Sequence, residues 1–473
     1  MNIVYCAGEV HPYLKTGGLA DVMGALPGAV KGPGDELAVI MPLYGQIPEK
    51  YTAAMDYMGY DYIHMGGADM YMGVMHLKEK GVDYYFIDDR DMFFRDKVYG
   101  EDDDGYRFAF FSKACVRLMA YLDMVPDVVH ANDWHTGLVP LYVRDFAKGD
   151  ARFSKTATVF TIHNINYQGV FDEAVFSYAD LSREYFTEEG VKYYDGVNFM
   201  KAGIQFADVV TTVSKTYARE LEDPVYGLDM AGLIRRHKDK MAGIQNGIDT
   251  EEYDPTTDPL IVKNYDGENL EGKAENKKAL KEEYGLAKGD RPLFTIVSRL
   301  VDIKGMDLVL DAAEELLKKD LDLLVVGTGD ARIEEGFRAL ARAHDNCAVR
   351  IAFDSAASHR IYAGGDFFLM PSLTEPCGLA QMIAMTYGNL PVVRETGGLA
   401  DTVIPFDEAG RGGGYTFKRA EAWDLLDAVD RALADYHRPV DSVHRKSAMA
   451  QDFSWKKSAS AYREFYKSAR EKK

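Results

Sequence analysis

The sequence predicts an α/β protein with two parallel sheets, each covered by helices. Three observations predict this class. Short apolar runs alternate with amphipathic segments, the alternation occurs in both halves of the chain, and a polar stretch at residues 254–281 separates the halves. Strands that alternate with helices at this spacing form parallel sheets with helices on their faces. A chain of 473 residues also exceeds what one hydrophobic core usually supports.

The individual strands are predicted from apolar runs that end in polar or glycine-containing loops. In the first half these runs lie at residues 3–7, 36–41, 82–87, 127–130, 158–162 and 208–213, and residues 106–121 have a helical pattern. In the second half they lie at residues 293–298, 321–326, 348–353, 367–371 and 390–393, with helical patterns at 305–317 and 330–343. Parallel sheets bind ligands beyond the carboxyl ends of their strands, so the loops after these runs are the candidate sites.

Composition and charge disfavour several classes of partner. With 55 Lys and Arg against 75 Asp and Glu, the formal charge is −20, which disfavours nucleic acid and anionic membranes. The four cysteines lack disulfide or zinc-ligand spacing, which indicates buried thiols in a reducing compartment. The sequence shows no secretion signal and no apolar run long enough to span a membrane, so we expect a cytoplasmic protein.

A six-residue repeat, Thr-Gly-Gly-Leu-Ala-Asp, occurs at residues 16–21 and again at 396–401. Each copy follows a predicted strand and opens an amphipathic helix. Glycines allow a backbone to approach a ligand closely, and a helix N-terminus offers unpaired N–H groups to an anion. One copy alone is an ordinary strand–turn–helix connection, but one copy in each half favours a phosphate cradle or a sugar clamp. Neither copy has the glycine spacing of a nicotinamide-cofactor site.

Three cations lie where a diphosphate could bind. Lys15 precedes the first copy of the repeat, and Arg299 and Lys304 follow the strand predicted at residues 293–298. A solvated loop is the usual place for any single lysine. Together they suit a transferase with a nucleoside-diphosphate leaving group, which must stabilise the charge that develops on the phosphate. No cluster of His and carboxylate residues has metal-ligand spacing, so we expect no metal and no other cofactor.

The segment at residues 371–379 lies where a predicted strand gives way to a helix. Pro376 fits the first turn of that helix and Glu375 can cap it. Because a plain helix start does not need Gly378 as well, we favour a functional role for Glu375. Its carboxylate would hold sugar hydroxyls or stabilise positive charge at an anomeric carbon.

Two segments of the first half, residues 130–135 and 161–169, combine imidazole, carboxylate, amide and aromatic groups at strand ends. Polar edges that bond hydroxyls, next to aromatic faces, suit a polyhydroxylated ligand. We interpret His130 and His135 as hydrogen-bonded structural residues. Asp133 and His163 are the stronger candidates for the site.

These segments, together with residues 246–249, resemble the bacterial glycogen synthase and plant starch synthase family, glycosyltransferase family 5. The matching motifs run in order from near the first residue to beyond residue 400. The motifs at residues 15–22 and 375–379 are specific to this family and its close relatives, whereas the spacing of Arg299 and Lys304 is shared more widely among retaining glycosyltransferases.

The resemblance implies the GT-B fold, in which two Rossmann-like domains face each other across a cleft. It implies an N-terminal domain on the acceptor side at residues 1–245 and a C-terminal, donor-side domain at residues 246–450. Residues 451–473 would form a helix that returns to the first domain, and its aromatic residues Tyr462, Phe465 and Tyr466 suit such packing.

The implied reaction transfers glucose from ADP-glucose to the non-reducing 4-OH of an α-1,4-glucan such as glycogen, with retention of configuration and without a metal. No residue is a convincing covalent nucleophile, so front-face transfer is preferred. The family pattern places catalytic roles on Glu375, His163, Arg299, Lys304 and Asp133. It places substrate binding on Lys15, Gly17, Gly18, Asp21, Tyr99, Asn164, Asn246, Phe353, Cys377, Gly378, Leu379, Thr396 and Gly397.

Within these sets, Lys15, Arg299 and Lys304 are expected beside the diphosphate and Asp21 on the adenine side. His163, Asn164 and Asp133 are expected around the donor sugar. Phe353 stands where the family commonly has a tyrosine that stacks on the base, so the stacking face is kept without the hydroxyl group.

Other functions stay open from the sequence. One is a different retaining GT-B glycosyltransferase with a nucleotide-glucose donor and another acceptor, and the other is a nucleotide-sugar epimerase or a catalytically silent glucan-binding regulator. The Met- and Tyr-rich segment at residues 55–76 is predicted to form half-buried strands, with a surface for the acceptor glucan as the alternative.

Overall fold

The computed structural model describes residues 1–286, 289–352 and 354–473. They form two compact units. The first comprises Met1–Asn246 with Trp455–Lys473, and the second comprises Gly247–Ser454. Each unit is built on a sheet with helices packed against it, so the α/β prediction for both halves is confirmed.

The strands of the first unit extend the predicted parallel core by a hairpin. Within the described residues, nine strands form one sheet in the order β12-β11-β7-β6-β1-β2-β5-β4-β3. Neighbours from β12 to β5 are parallel, whereas β4 and β3 continue the sheet in antiparallel pairing. In chain order the strands are β1 (Asn2–Cys6), β2 (Glu36–Pro42), β3 (Asp56–Met65), β4 (Ala68–Glu79), β5 (Val82–Asp88), β6 (Val128–Asn132), β7 (Ala157–Ile162), β8 (Val170–Asp172), β9 (Lys192–Tyr193), β10 (Gly196–Asn198), β11 (Val209–Thr212) and β12 (Met241–Gly243).

The helices of this unit cover a sheet whose central strands are buried along almost their whole length. That burial explains why the central strands read as continuous apolar runs. The strands β8, β9 and β10 form a separate small antiparallel sheet. The helices are α1 (Gly18–Val30), α2 (Glu49–Thr52), α3 (Arg90–Phe93), α4 (Asp104–Tyr121), α5 (Val139–Gly149), α6 (Glu173–Tyr178), α7 (Phe199–Phe206), α8 (Lys215–Glu220), α9 (Pro224–Gly227) and α10 (Ala231–Arg236).

The second unit has an all-parallel sheet among its described residues, in the order β15-β14-β13-β16-β17-β18. Its strands are β13 (Leu293–Val297), β14 (Asp322–Gly327), β15 (Cys347–Ile351), β16 (Phe367–Met370), β17 (Leu390–Arg394) and β18 (Tyr415–Phe417). Its helices are α11 (Glu271–Glu283), α12 (Met306–Leu317), α13 (Ala331–Ala343), α14 (Ser355–Gly364), α15 (Ala380–Thr386), α16 (Gly397–Thr402), α17 (Ala422–Tyr436) and α18 (Val440–Met449).

The last helix, α19 (Trp455–Glu471), returns to the first unit as predicted. It packs against α1, β6 and β7. The Tyr466 hydroxyl is buried and lies 2.8 Å from Nδ1 of His130, and it donates to the Tyr5 hydroxyl. Arg463 donates to the carbonyl oxygen of Val30 at the end of α1. Among the described residues, no helix combines the length and the apolar character that crossing a membrane requires.

Candidate functional site

The candidate residues of the first unit gather at one edge of its sheet. The strands β7, β6 and β1 are parallel neighbours, so the loops that follow them lie at the same edge. Glu9 and the first copy of the repeat follow β1, Asp133 follows β6, and His163 follows β7. This edge therefore brings together the residues that the sequence had placed on the sugar.

The first copy of the repeat is organised by Glu9, which is not among the predicted site residues. The Glu9 carboxylate oxygen Oε2 accepts hydrogen bonds from Thr16 N (2.5 Å), Thr16 Oγ1 (2.7 Å) and Gly17 N (3.3 Å). Burial raises the pKa of Glu9, and the bonds from Thr16 and Gly17 oppose that effect. The available signal was a carboxylate just after a buried strand and just before a glycine loop. Backbone N–H groups that were predicted to bind a phosphate of a ligand thus donate to the side chain of Glu9.

Lys15 and Asp21 flank this cradle and pair with each other. The Lys15 Nζ atom lies 2.7 Å from Asp21 Oδ1, with 44% and 29% of the two side chains exposed. Gly18 is also exposed, and a Cβ atom placed on it would meet no atom within 4 Å. The entrance of α1 therefore has open space beside a lysine.

Asp133 is the buried carboxylate of this edge. Its φ of +57° lies in a region that residues with a side chain rarely adopt. The side chain accepts hydrogen bonds from the backbone N–H groups of His163 (2.7 Å) and Asn164 (3.4 Å). Burial raises the pKa of Asp133 to about 7. The loops after β6 and β7 are thus joined through this one carboxyl group.

His163 is a buried, neutral imidazole. Burial lowers its pKa to about 3. Its Nε2 atom lies 3.0 Å from Asn132 Oδ1, while the Asn132 amide nitrogen donates to the carbonyl oxygens of Cys6 and His130. Because Asn132 uses its amide hydrogens in this way, its oxygen is the acceptor and Nε2 of His163 carries the proton. Nδ1 is then the acceptor nitrogen of the ring.

The two other histidines of this region differ from each other. His130 is fully buried, and its two ring nitrogens contact Tyr466 Oη and Thr161 Oγ1, which fits the predicted structural role. His135 was expected to be hydrogen-bonded as well, but both of its buried ring nitrogens lack a partner among the described residues, so this expectation is wrong. Its ring is instead packed between Trp134 and Tyr99, with centroid distances of 4.1 and 4.3 Å.

In the second unit, an ion pair joins the loops after two neighbouring strands. β13 leads to Lys304 and β16 leads to Glu375. The Lys304 Nζ atom lies 2.6 Å from Glu375 Oε2, with 19% and 7% of the side chains exposed, and Ser372 Oγ donates to the same oxygen. Gly305 has a φ of +73°, and a Cβ on it would lie 2.0 Å from the carbonyl oxygen of Pro371, so a glycine is required where the loops meet. Arg299 is exposed on the same loop as Lys304.

The helix after Glu375 begins later than predicted. The sequence placed Pro376 in its first turn with Glu375 as a cap, but α15 starts at Ala380. This expectation is wrong because the intervening residues turn: Gly378 has a φ of +71°, and Gln381 Nε2 donates to the carbonyl oxygens of Cys377 and Gly378. The Glu375 carboxylate therefore does not cap a helix and pairs with Lys304.

The second copy of the repeat packs on this loop. The backbone N–H of Gly398 donates to the carbonyl oxygen of Glu375 (2.9 Å). A Cβ on Gly397 would lie 1.9 Å from the Glu375 carbonyl oxygen, and one on Gly398 would lie 2.0 Å from that of Cys377. Arg394, which is also not among the predicted site residues, donates through Nε to the carbonyl oxygen of Ser372.

Most of the remaining predicted residues are buried or half-buried. Asn246 and Cys377 are buried, Leu379 is half-buried, and Thr396 is fully buried at the start of α16. Phe353 lies outside the described residues. Among the residues that are described, no group of three or more His, Cys, Asp or Glu side chains could hold a metal ion.

Comparison with known proteins places these features in a family. The starch synthase catalytic domain family matches residues 2–236, and the glycosyl transferases group 1 family matches residues 277–448. A glycogen synthase of Finegoldia magna is 46% identical over 98% of this chain and 99% of its own length. A glycogen synthase of Bacillus cereus is 42% identical over the full length of both chains.

Solved structures agree with this placement. The catalytic domain of starch synthase IV from Arabidopsis thaliana, determined with ADP and acarbose bound, matches 99% of both chains with a TM-score of 0.91 and 32% identity. A sucrose-phosphate synthase from Thermosynechococcus elongatus shares the fold, with a TM-score of 0.61 and 18% identity. The chain belongs to the glycogen and starch synthase family of GT-B glycosyltransferases, as its motifs predicted.

Proposed function

We propose that this chain transfers glucose from ADP-glucose to the non-reducing 4-OH of an α-1,4-glucan, with retention of configuration. The observation that carries the proposal is the Lys304–Glu375 pair at the carboxyl edge of the second sheet. It sets a cation and a sugar-binding carboxylate side by side, as a nucleotide-sugar donor requires. The full-length similarity to glycogen synthases, and to a starch synthase solved with ADP, supports the choice of donor and acceptor.

In this proposal Arg299 and Lys304 stabilise the departing diphosphate without a metal ion. Fixed cations in a partly buried site stabilise charge that develops in the transition state. Glu375 Oε2 takes the bonds from Lys304 and Ser372, while in the described structure Oε1 has no hydrogen-bond partner. We assign Oε1 to a sugar hydroxyl, so that one carboxylate positions both the cation and the donor sugar.

The first unit supplies the sugar-binding face in this proposal. Neutral His163 presents Nδ1 as an acceptor for a sugar hydroxyl, and its orientation is fixed by Asn132. Asp133 holds the loops of His163 and Asn164 together. Because His163 is uncharged, it does not repel the positive charge that develops at the anomeric carbon. The acceptor hydroxyl attacks the anomeric carbon from the face that the diphosphate leaves, so the configuration is retained. The bond from the anomeric carbon to the diphosphate oxygen breaks, and that oxygen takes the proton of the acceptor hydroxyl.

We further propose that the protein acts in the cytoplasm. All four of its cysteines are buried thiols, in keeping with a reducing compartment.

The test is glucose transfer to glycogen by the purified protein, with ADP-glucose and UDP-glucose compared in parallel. We expect transfer from ADP-glucose, and we expect Glu375→Ala to lower kcat by about a hundredfold or more with a smaller change in the KM for the donor. Asp302→Ala is the matched control. It removes an exposed carboxylate from the neighbouring loop, the one that carries Lys304, and this carboxylate pairs with Arg332. We expect its kcat to stay within about twofold.

The outcomes separate the parts of the proposal. Transfer from UDP-glucose alone would overturn the donor. Near-normal turnover in Glu375→Ala would overturn the role of this residue. ADP release that glycogen does not stimulate would overturn the acceptor and favour another retaining transferase, and glycogen binding without any ADP release would favour a silent regulator.

A further inference from the structure

Arg394 is a buried arginine to which the proposed function gives no role. It is the last residue of β17, and only 8% of it is exposed. Among the described residues it pairs with no carboxylate, and its hydrogen bonds go to three backbone carbonyl oxygens. Because burying a charge without an ion pair costs free energy, an arginine in this setting serves to fix those carbonyl groups.

The Arg394 guanidinium joins the loops that follow two neighbouring strands. β17 lies between β16 and β18, so a side chain at its end reaches the loops on both sides. Nε donates to the carbonyl oxygen of Ser372 (2.9 Å) and Nη2 to that of Leu373, both after β16, while Nη1 donates to that of Lys418 (3.3 Å) after β18. A planar fork holds three acceptors in fixed directions, which an ammonium group cannot reproduce. We call Arg394 and these three carbonyl groups the arginine clamp.

Ser372 connects the arginine clamp to the carboxylate of Glu375. Ser372 is fully buried, its carbonyl oxygen accepts from Arg394, and its hydroxyl donates to Glu375 Oε2 (3.1 Å). The Lys304 Nζ atom lies 2.6 Å from the same oxygen. Two hydrogen-bond donors on one oxygen fix the rotation of the carboxylate, and Oε1 is the oxygen that remains for the sugar.

We propose that Arg394 and Ser372 are positioning residues: Arg394 fixes the backbone of Ser372, and the Ser372 hydroxyl in turn orients the Glu375 carboxylate toward the donor sugar. This inference rests on the proposed function, which gives Glu375 its role in glucose transfer. Misplacing a reacting group by about an ångström can lower a rate about a hundredfold. Loss of the clamp should therefore lower kcat more than it changes the KM for ADP-glucose.

Arg394→Lys separates the geometry of the side chain from its charge, because it keeps the cation and loses the fork. We expect kcat for glucose transfer to glycogen to fall about tenfold or more, with the KM for ADP-glucose within about threefold. If the charge of Arg394 acted directly on the diphosphate, lysine would preserve most of the turnover. A near-normal kcat in Arg394→Lys would therefore overturn the proposal.

Arg445→Lys is the matched control for this substitution. Arg445 is 4% exposed in the same unit, and it donates to the carbonyl oxygens of Asp366 and Gly388. These residues precede β16 and β17, so they lie at the opposite edge of the sheet from Glu375. Arg445→Lys should lower the melting temperature but leave the kcat of the folded protein within about twofold. Equal losses of kcat in the two variants would mean that turnover follows general stability, and would overturn the proposal.

Ser372→Ala tests the second step, and it does so even if Arg394→Lys folds poorly. It removes one hydroxyl and keeps the carbonyl oxygen that Arg394 uses. We expect kcat to fall about tenfold, since a hydrogen bond to a charged group is lost. Ser447→Ala is its control, because that hydroxyl donates to the carbonyl oxygen of Gly412 (2.9 Å) instead. Equal kcat values for these two variants would overturn the proposal.

Combination with Glu375→Ala shows whether both residues act through this carboxylate. In the Glu375→Ala background, neither Arg394→Lys nor Ser372→Ala should lower kcat further by more than about twofold, because the group that they position is gone. Losses that multiply in full would overturn the proposal and give each residue an independent role. Absence of transfer from ADP-glucose by the unaltered protein would instead overturn the proposed function on which this inference rests.

Discussion

The two copies of Thr-Gly-Gly-Leu-Ala-Asp have the same six residues but opposite surroundings. A Cβ on Gly18 in the first copy would meet no atom within 4 Å, whereas one on Gly398 in the second would lie 2.0 Å from a backbone oxygen. The first copy donates backbone N–H groups to the side chain of Glu9, and the second donates the Gly398 N–H to the backbone of Glu375. In the first copy the space beside Gly18 is thus open, although Glu9 occupies the N–H groups of Thr16 and Gly17. The second copy packs closely against the loop of Glu375.

The largest expected effect distinguishes these two roles. We expect Gly398→Ala to lower the free energy of unfolding of the second unit by more than about 4 kcal/mol, or to prevent its folding, because the methyl group overlaps the Cys377 carbonyl. Gly18→Ala should change the free energy of unfolding by less than about 1 kcal/mol, since it is exposed in the first turn of α1. Urea unfolding of both variants measures the difference, and equal losses would contradict it.

The repeat also shows how far sequence reasoning reaches. Its two copies follow predicted strands and open helices, as expected, because buried parallel strands have apolar runs that a single sequence reveals. Whether its glycines face a ligand or a backbone depends on which loop packs against them. That loop comes from a neighbouring strand, so no local pattern could show that Gly398 meets Cys377.

Tertiary contacts limited the prediction of the site in the same way. Lys304 and Glu375 were recognised one at a time from motifs, but their ion pair depends on β13 and β16 being neighbours in the sheet. Glu9 was missed because a carboxylate before a glycine loop has no meaning until the loop folds back on it. The late start of α15 was missed because Gln381 satisfies the backbone oxygens that a longer helix would have used.

Glu375 in the second unit and Asp133 in the first differ in the charge beside them, and this difference predicts how the stability of the protein depends on pH. Glu375 has Lys304 beside it, whereas Asp133 is held by backbone N–H groups. Asp133 has a folded pKa of about 7 and a reference value of 3.8. Between these values the unfolded chain releases a proton that the folded chain keeps. The Asp133 contribution to stability therefore falls as pH rises from about 4 to about 7, by up to about 4 kcal/mol.

Asp133→Asn should remove this contribution. We expect the unfolding free energy of the unaltered protein, minus that of Asp133→Asn, to decrease steadily between pH 4.5 and pH 7.5. The buried histidines His130, His135 and His163 titrate in both proteins, so their effect cancels in the difference. Urea unfolding at a series of pH values measures it. A difference that stays constant with pH would show that Asp133 is ionised throughout.

Each copy of the repeat donates to a glutamate, Glu9 for the first copy and Glu375 for the second, and the next predictions compare the loss of stability when each is replaced. Glu9→Ala should cost about 2–3 kcal/mol of unfolding free energy, because it leaves the donors of Thr16 and Gly17 without their acceptor. Glu9→Gln keeps one oxygen where all three bonds converge and should cost about 1 kcal/mol or less.

Glu375→Ala should have a smaller effect on stability than Glu9→Ala. It leaves in place the backbone oxygen that Gly398 uses, and the Lys304 ammonium group that loses its partner remains 19% exposed to water, so we expect a loss of about 1 to 2 kcal/mol. Thermal unfolding ranks the three variants. A larger loss for Glu375→Ala than for Glu9→Ala would reverse the comparison between the two copies.

The smallest expected effect concerns the Lys15–Asp21 pair at the open copy. Both side chains are substantially exposed, so Asp21→Asn should change the free energy of unfolding by less than about 0.5 kcal/mol, and 1 M NaCl should abolish the difference. The same substitution frees the ammonium group of Lys15 beside Gly18, so it should alter the KM for the donor although it hardly alters stability. Urea unfolding at low and high salt gives the first quantity, and initial rates give the second. A loss above about 1 kcal/mol that persists in high salt would mean that the first copy, like the second, is held by its own packing.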